Sequence, residues 1–354
     1  MAEQTLANTS QRVGKVKGAI LKHVVPKEKL GKFCKNDQMP SNAGLQMVWR
    51  RWLPKGATLS TPNTWDVQPG AHRINEGEPP VAEALTPQDI PVTMEQYAFV
   101  YRWSDRAEDV HEDDVPMAIK KIAGQRAGLL LEMIKWGKAK SGTNVYYGGG
   151  VASRSLVNSL VSATLIANVV RGLEANMAEL LTESLKASPG YETRAIDSCY
   201  VGFTHPNMRY DLETTAGFIK AKDYPGGSAD MIDPDEIGSL GKVRFIQSPH
   251  FTPYLTAGTT AAANTRLTNN LPNAGGAGNC DVYPIVIMGE EALCSVAFRG
   301  SKAMEVGYQA AGEKVKGDIL GLRGEMGMKC WSAAEITNHL HMAVVEVACS
   351  ALTS

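Results

Sequence analysis

Residues 45–105 constrain this chain more than any other stretch. Leu45 to Leu53 is rich in aromatic and branched residues, holds no Gly or Pro, and reads as a β-strand. Pro91 to Trp103 reads as a second strand. Thr93, Glu95, Tyr97, Phe99, Tyr101 and Trp103 share one of its faces, and Val92, Met94, Gln96, Ala98 and Val100 share the other. Between the two lies Pro54 to Asp89, which carries six of the 18 prolines and no apolar period. Structureless connections beyond about 12–15 residues are uncommon inside compact domains. So polar a connection also leaves the aromatic strand residues without cover. The expectation is a long two-stranded arm, Leu45–Asp105, that projects from its own subunit and is covered by neighbours. Such a chain is a building block.

At 354 residues the chain has room for about two domains and a large buried core. A net charge of −1 removes any bulk electrostatic reason for tight binding to nucleic acid or an anionic membrane. No apolar run approaches the ~18 residues that a membrane span needs, and Met1–Ser10 lacks the apolar core of a secretion signal. Six cysteines (Cys34, Cys199, Cys280, Cys294, Cys330 and Cys349) are scattered without a Cys-x-x-Cys pair. They suit reduced thiols better than a disulfide frame or a zinc site, so a cytoplasmic origin is expected.

Residues 1–36 carry Arg12 and seven lysines, Lys15 and Lys17 among them, against only Glu3 and Glu28, a local net charge of +6. Val13, Val16, Ile20 and Val24 fall on one helical face before Pro26 stops the pattern. Two readings are open: a solvated tail, or a basic arm that lies across an acidic neighbour or touches packaged nucleic acid. Asp105, Glu108, Asp109, Glu112, Asp113 and Asp114 against Arg106 give a counterpart of local charge −5.

A strut-like helix is expected from Asp113 to Ser141. Asp113 or Asp114 caps it, Pro116 suits its first turn, and Ser141-Gly142 ends it. Val115, Ile119, Ile122, Leu129, Leu130, Met133 and Trp136 form its apolar stripe, and Gly124 and Gly128 suggest close approach of another element. At about 27 residues it would be roughly 40 Å long. Ser155–Lys186 reads as helix in two pieces, with strands expected at 198–204, 242–247 and 283–288. Leu320–Met328 and Glu335–Cys349 read as a closing strand pair. Strands and helices interleave without regular alternation, which points to an α+β fold.

Chemical motifs are scarce. No phosphate loop, His-Glu-x-x-His, Gly-x-Ser-x-Gly or dinucleotide fingerprint is present. His111-Glu112-Asp113-Asp114 has carboxylates that suit a hard cation, although helix capping explains the same residues. His205 with Asp211 resembles a base and its orienting acid, yet no nucleophile accompanies them. His339 and His341 share one face of the expected last strand, a spacing that also serves metal. No catalytic residue, cofactor or metal site is assigned.

Several segments in order resemble the major capsid proteins of tailed bacteriophages, specifically the family of the coliphage N-four capsid protein. They are Trp49-Arg50-Arg51-Trp52-Leu53-Pro54, Asn75-Glu76-Gly77, and Pro91 to Tyr97. Ser104-Asp105 with Glu108 to Asp113, Gly142 to Gly148, and Phe203-Thr204-His205-Pro206 continue the series. Glu236-Ile237-Gly238, Lys242 to Ile246, and Asp281 to Gly289 complete it, so the similarity spans residues 45–300. The resemblance implies the Johnson fold, also called the Hong Kong 97 fold. Its parts are an N-terminal arm (residues 1–44 here), an extended loop (45–105), a spine helix opening the peripheral domain (106–150), a mainly axial stretch (151–310) and a return to the peripheral sheet (311–354).

It also implies self-assembly into hexamers and pentamers of an icosahedral head, located in the virion and assembled in the bacterial host cytoplasm. Partners would be other copies, a portal, a scaffold, a decoration protein, and packaged double-stranded DNA bound without sequence specificity. No membrane is involved. Candidate contact residues are Arg12, Lys15, Lys17, Arg50, Arg51, Trp52, Trp65, Asp105, Glu108, Asp109 and Glu112. Nanocompartment shells with the same fold form a related reading. The alternative from another class is a cytoplasmic hydrolase using His205 and nearby acids.

Overall fold

The computed structural model describes residues 28–40, 44–57, 65–70, 72–74, 76–77, 79–80, 82–111, 114–181, 198–224, 231–259, 279–299, 304–314 and 317–350. The helix expected over Val13–Val24, and Arg12, Lys15, Lys17 and Glu112, lie outside them.

The described chain opens on a short turn and strand β1 (Lys35–Met39), followed by β2 (Gln46–Leu53) and β3 (Thr86–Thr93). β4 (Glu95–Ser104) runs into helix α1 (Asp105–Val110), where the Ser104 hydroxyl accepts the Ala107 N–H as an N-cap. α2 (Val115–Ala139) is capped by Asp114 and has Pro116 in its first turn; its 25 residues make a strut of about 38 Å. β5 (Val145–Tyr147) and α3 (Ala163–Ala175) follow, then β6 (Tyr200–Thr204), α4 (Arg209–Thr214) and β7 (Phe218–Lys220). β8 (Glu236–Leu240), β9 (Val243–Gln247), β10 (Tyr283–Met288) and β11 (Leu293–Phe298) lead to β12 (Met304–Gln309), β13 (Arg323–Ile336) and β14 (Met342–Val347).

The strands form two large sheets. A seven-stranded sheet runs β5-β14-β10-β6-β9-β8-β7. Every residue of β10 and β14 is buried, as apolar strands covered on both faces are; the one charge among them, Glu346, is held by Arg154 through bonds of 2.7 and 2.6 Å. Ile285 and Ile287 point to the α3 side, where Ile166, Val169 and Leu173 wait. Val286, Met288 and Val344 point the other way, to Trp136 from the end of α2, Phe251 and Leu30. Each such side chain withdrawn from water is worth about 1.5–3 kcal/mol, so this double-sided core dominates stability.

The second sheet runs β1-β11-β13-β12, with β4 on the far edge of β13. α2 lies on it: Ala127 packs with Met328, Cys330, Tyr97, Phe99 and Leu130. A Cβ at Gly324 would strike the buried Trp103 indole, so only glycine lets β13 pass there.

The fold is α+β as expected, but four local expectations change. The arm's second strand ends at Thr93. The Met94 N–H donates to the Leu45 carbonyl at 2.9 Å and closes the hairpin, after which β4 turns to pair with β13. Tyr97, Phe99, Tyr101 and Trp103 are therefore covered by their own subunit. Second, Leu320–Met328 and Glu335–Cys349 do not pair. The turn at 337–341 carries the chain from one sheet to the other, and β14 joins the seven-stranded sheet. His339 and His341 accordingly flank a turn rather than sharing a strand face. Third, open space surrounds Gly124; Ala123 and Ala127 are the residues that bring α2 close to its neighbours. Fourth, no helix forms before Ala163 in the Ser155–Lys186 stretch except one short turn; residues 182–197 lie outside the described chain.

Candidate assembly surface

The β2–β3 hairpin alternates faces, as a strand must. Met47, Trp49, Arg51 and Leu53 turn inward; Val48, Arg50 and Trp52 turn out. Trp49 donates its indole N–H to Asp37 at 2.6 Å and packs with Met47 beside Met39, Val92 and Val296. Leu53 is 1% exposed. Arg51 enters a cleft lined by Glu179, Glu290, Glu291, Thr337, Asn338 and His341, where the chain crosses between sheets. Burial holds its guanidinium pKa below the usual arginine value. The inner face is thus seated on its own subunit.

The outer face is open. Arg50 grips Asp89 across the hairpin through two bonds of 2.7 and 3.0 Å, a planar fork on a carboxylate. Trp52 is 57% exposed and Trp65, on the connection, 60%. The limb therefore leaves only one face for a neighbour, and its other face is covered by its own subunit. Among the contact candidates, Arg50, Trp52 and Trp65 are displayed and Arg51 is not.

The acidic candidates sit at the other end of β4, about 30 Å away for its ten residues. Glu108 accepts the Trp103 indole N–H at 2.8 Å, and Asp105 accepts the Arg106 N–H at 2.6 Å. Asp109 is exposed, and Asp114 is occupied as the α2 cap. The described part of the basic segment goes elsewhere. Lys29 binds Asp233 at 2.7 Å and also Asp235, Lys32 binds Asp233, and Lys35 binds Glu291 at 2.6 Å.

This clasp escaped the sequence reading. Glu132 of α2, 2% exposed, accepts the backbone N–H groups of Lys29 (3.1 Å) and Leu30, while Lys135 pairs with Glu28. Burial pushes the Glu132 carboxyl up to about 7 despite those two donors. Burial opposes the charge on Lys29 as well, but Asp233 and Asp235 outweigh it and its pKa rises. Asp233 moves down for the same reason: two lysines outweigh its burial. The available signal was a glutamate and a lysine, Glu132 and Lys135, interrupting the buried stripe of an amphipathic helix.

The dyad imagined for a hydrolase is not assembled. Asp211 is held by Ser350 through its N–H at 2.9 Å and its hydroxyl. The His205 Nδ1 accepts the Asn207 N–H at 3.1 Å, capping a turn, and burial pushes the imidazole down to about 4. The six cysteines are buried and none is in a disulfide; burial raises Cys34 and Cys349 to about 12, which leaves them protonated and unreactive at neutral pH. Among the described residues, no three His, Cys, Asp or Glu side chains are disposed to hold a metal ion, and no helix is long and apolar enough to cross a membrane.

No protein-family model matches the chain, and no curated protein matches it. Solved structures do. The capsid chain of Ralstonia phage GP4 aligns over 100% of both chains with a TM-score of 0.64 at 12% identity. The cyanophage Pam1 capsid aligns over 99% of this chain and 100% of that one, with a TM-score of 0.59 at 16% identity. The cyanophage P-SCSP1u capsid covers 97% and 93%, with a TM-score of 0.58 at 10% identity. At these identities the likeness establishes the fold: this is the Johnson fold of phage capsid proteins.

Proposed function

We propose that this chain is a major capsid protein of a tailed bacteriophage, a structural subunit rather than an enzyme. Copies self-assemble into hexamers and pentamers of an icosahedral head around double-stranded DNA, in the virion, after assembly in the host cytoplasm. The observation that carries the reading is the half-seated hairpin: an anchored inner face and an outer face presenting Val48, Arg50 and Trp52 to solvent. Large exposed apolar side chains grouped on one projecting element mark a protein contact. The full-length likeness to chains taken from phage capsids supports the same conclusion.

In this reading the hairpin is the core of the extended loop, α2 is the spine helix, the β4–β13–β12 sheet is the peripheral domain, and the sheet around β10 and β14 is axial. The ordered segments that resemble the coliphage N-four capsid family support membership of that branch. The displayed acids Asp105, Glu108 and Asp109 offer a landing site for the basic N-terminal arm of an adjacent copy, Arg12, Lys15 and Lys17 included. Portal, scaffold and decoration proteins are the expected further partners. A near-neutral container encloses DNA without sequence-specific contacts, since base readout is not its task. Lys55 pairs with Glu83 at 2.5 Å, and no cross-linking role is assigned to it.

Sedimentation of the purified chain tests the function. Particles of many copies, sensitive to Trp52→Ala, are expected. A species that stays near the 38.1 kDa subunit mass at all concentrations would overturn it.

A further inference from the structure

Strand β12 is exposed along almost its whole length, Met304, Val306 and Tyr308 at 42, 58 and 46%. These three lie on one face, opposite Cys330, Met328 and Met326 of β13. Among the described residues β13 is the only strand paired with β12, so the outer row of β12 N–H and C=O groups faces away from the sheet. Proteins usually blunt such an edge with Pro, Lys or a bulge. Here none is present: the sequence is Met-Glu-Val-Gly-Tyr-Gln, and its register against β13 runs without a shift.

A row of backbone donors and acceptors is matched best by another strand. Charge selects among the occupants. The one ionised side chain of β12, Glu305, is already neutralised by Lys329 at 2.6 Å, so the edge offers nothing to the basic residues 1–36 with their net charge of +6. An uncharged, apolar, equally unpaired strand fits, and a second β12 is such a strand.

We propose that β12 pairs antiparallel with β12 of a second copy about a twofold axis at Val306, joining two sheets into one. In an isologous contact, where residue i faces residue j of the other copy, j faces i, and only the residue on the axis faces its own counterpart. Centred on Val306, Met304 faces Tyr308, Val306 faces Val306, and Glu305 faces Gly307. The result is a continuous Met–Val–Tyr row on one face, with no like charges opposite each other and room for each Glu305 to keep its Lys329. The pairing rests on the capsid reading but adds a specific symmetry contact to it.

Cysteine cross-linking in assembled particles tests it. Opposed Val306 positions would be about 4.5–5.5 Å apart, within disulfide reach. The two Glu305 positions would be diagonal at about 7–8 Å, beyond it. Mild copper–phenanthroline oxidation should convert most Val306→Cys chains to covalent dimer and leave Glu305→Cys monomeric; the native cysteines are buried and contribute nothing. Amide exchange on the parent chain, which needs no variant, should show β12 protected on assembly. Intact particles without a Val306→Cys dimer, equal dimer from both variants, or unprotected β12 amides overturn the pairing. Particle formation by the parent chain is scored separately by electron microscopy, so failure of the capsid reading is distinguishable from failure of this contact.

Discussion

Lys29 and Asp233, 204 positions apart in sequence, meet at 2.7 Å where both side chains are almost closed to water. They pin the root of the N-terminal segment against the loop before β8, while Glu132 holds the backbone at the same spot from α2. Removing one partner of a buried pair strands the other, at about 3–5 kcal/mol. Asp233 keeps its bond to Lys32, so Lys29→Met is expected to cost less than that, about 2 kcal/mol, in chemical denaturation of the dissociated subunit. The paired change Lys29→Met with Asp233→Leu should cost clearly less, because no buried charge is left alone. Equal losses would show that the clasp is not an ion pair in energetic terms.

Glu132 makes the clasp sensitive to pH. Its folded pKa of about 7 lies above the ordinary value of 4.5, so the folded state holds a proton that the unfolded state has released. The stability this contributes is full below pH 4.5 and is lost as pH rises through about 7. Between those two values the loss approaches about 1.4 kcal/mol per pH unit, and above about 7 it levels off. Melting temperature should fall between pH 4.5 and about 7, and Glu132→Gln should flatten that slope. A variant as pH-dependent as the parent would assign the effect elsewhere.

His205 acts in the opposite sense. Burial depresses it from 6.5 to about 4, so stability is present above pH 6.5 and declines as pH falls toward 4. His205→Asn keeps an acceptor for the Asn207 N–H and removes the titration. It should form particles and resist mild acid better than the parent, monitored by light scattering from pH 7 to 4. Loss of particle formation at neutral pH would mean that the imidazole does more than cap a turn.

The hairpin separates folding from assembly in one strand. Trp49→Ala, on the seated face, should cost about 2 kcal/mol in subunit stability, short of the ~3–5 of a fully buried tryptophan. Trp52→Ala, on the open face, should change subunit stability by less than about 0.5 kcal/mol and still impair particle yield. Thermal melting paired with particle counts separates the two; a Trp52→Ala subunit that melts like Trp49→Ala would place Trp52 in the subunit's own core.

What the sequence discloses follows from how local its causes are. Asp114 and Pro116 mark the start of α2, and the unbroken apolar run of β10 and the apolar run Met342–Val345 of β14 mark central strands, because capping and two-sided burial leave local signatures. The first strand of the hairpin was visible, but its partner was largely not: β3 starts at Thr86, inside the stretch that reads as a structureless connection, and alternation passes through Met94 without a break although the pairing there changes from β2 to β13. Partner choice is a tertiary fact. Asp233 carries no local signal of its role, since nothing nearby reveals a lysine 204 residues earlier. The exposed edge of β12 carried a legible signal, Met304, Val306 and Tyr308 at spacing two, too short to stand out beside Gly307.

The central idea is that this molecule is finished only by its neighbours, and a cryo-electron microscopy reconstruction of the assembled material addresses it most directly. Protein density from a different copy should cover the Val48–Arg50–Trp52 face of every hairpin within a closed shell. A shell in which that face meets only solvent, or a preparation holding nothing larger than single subunits, would contradict the account.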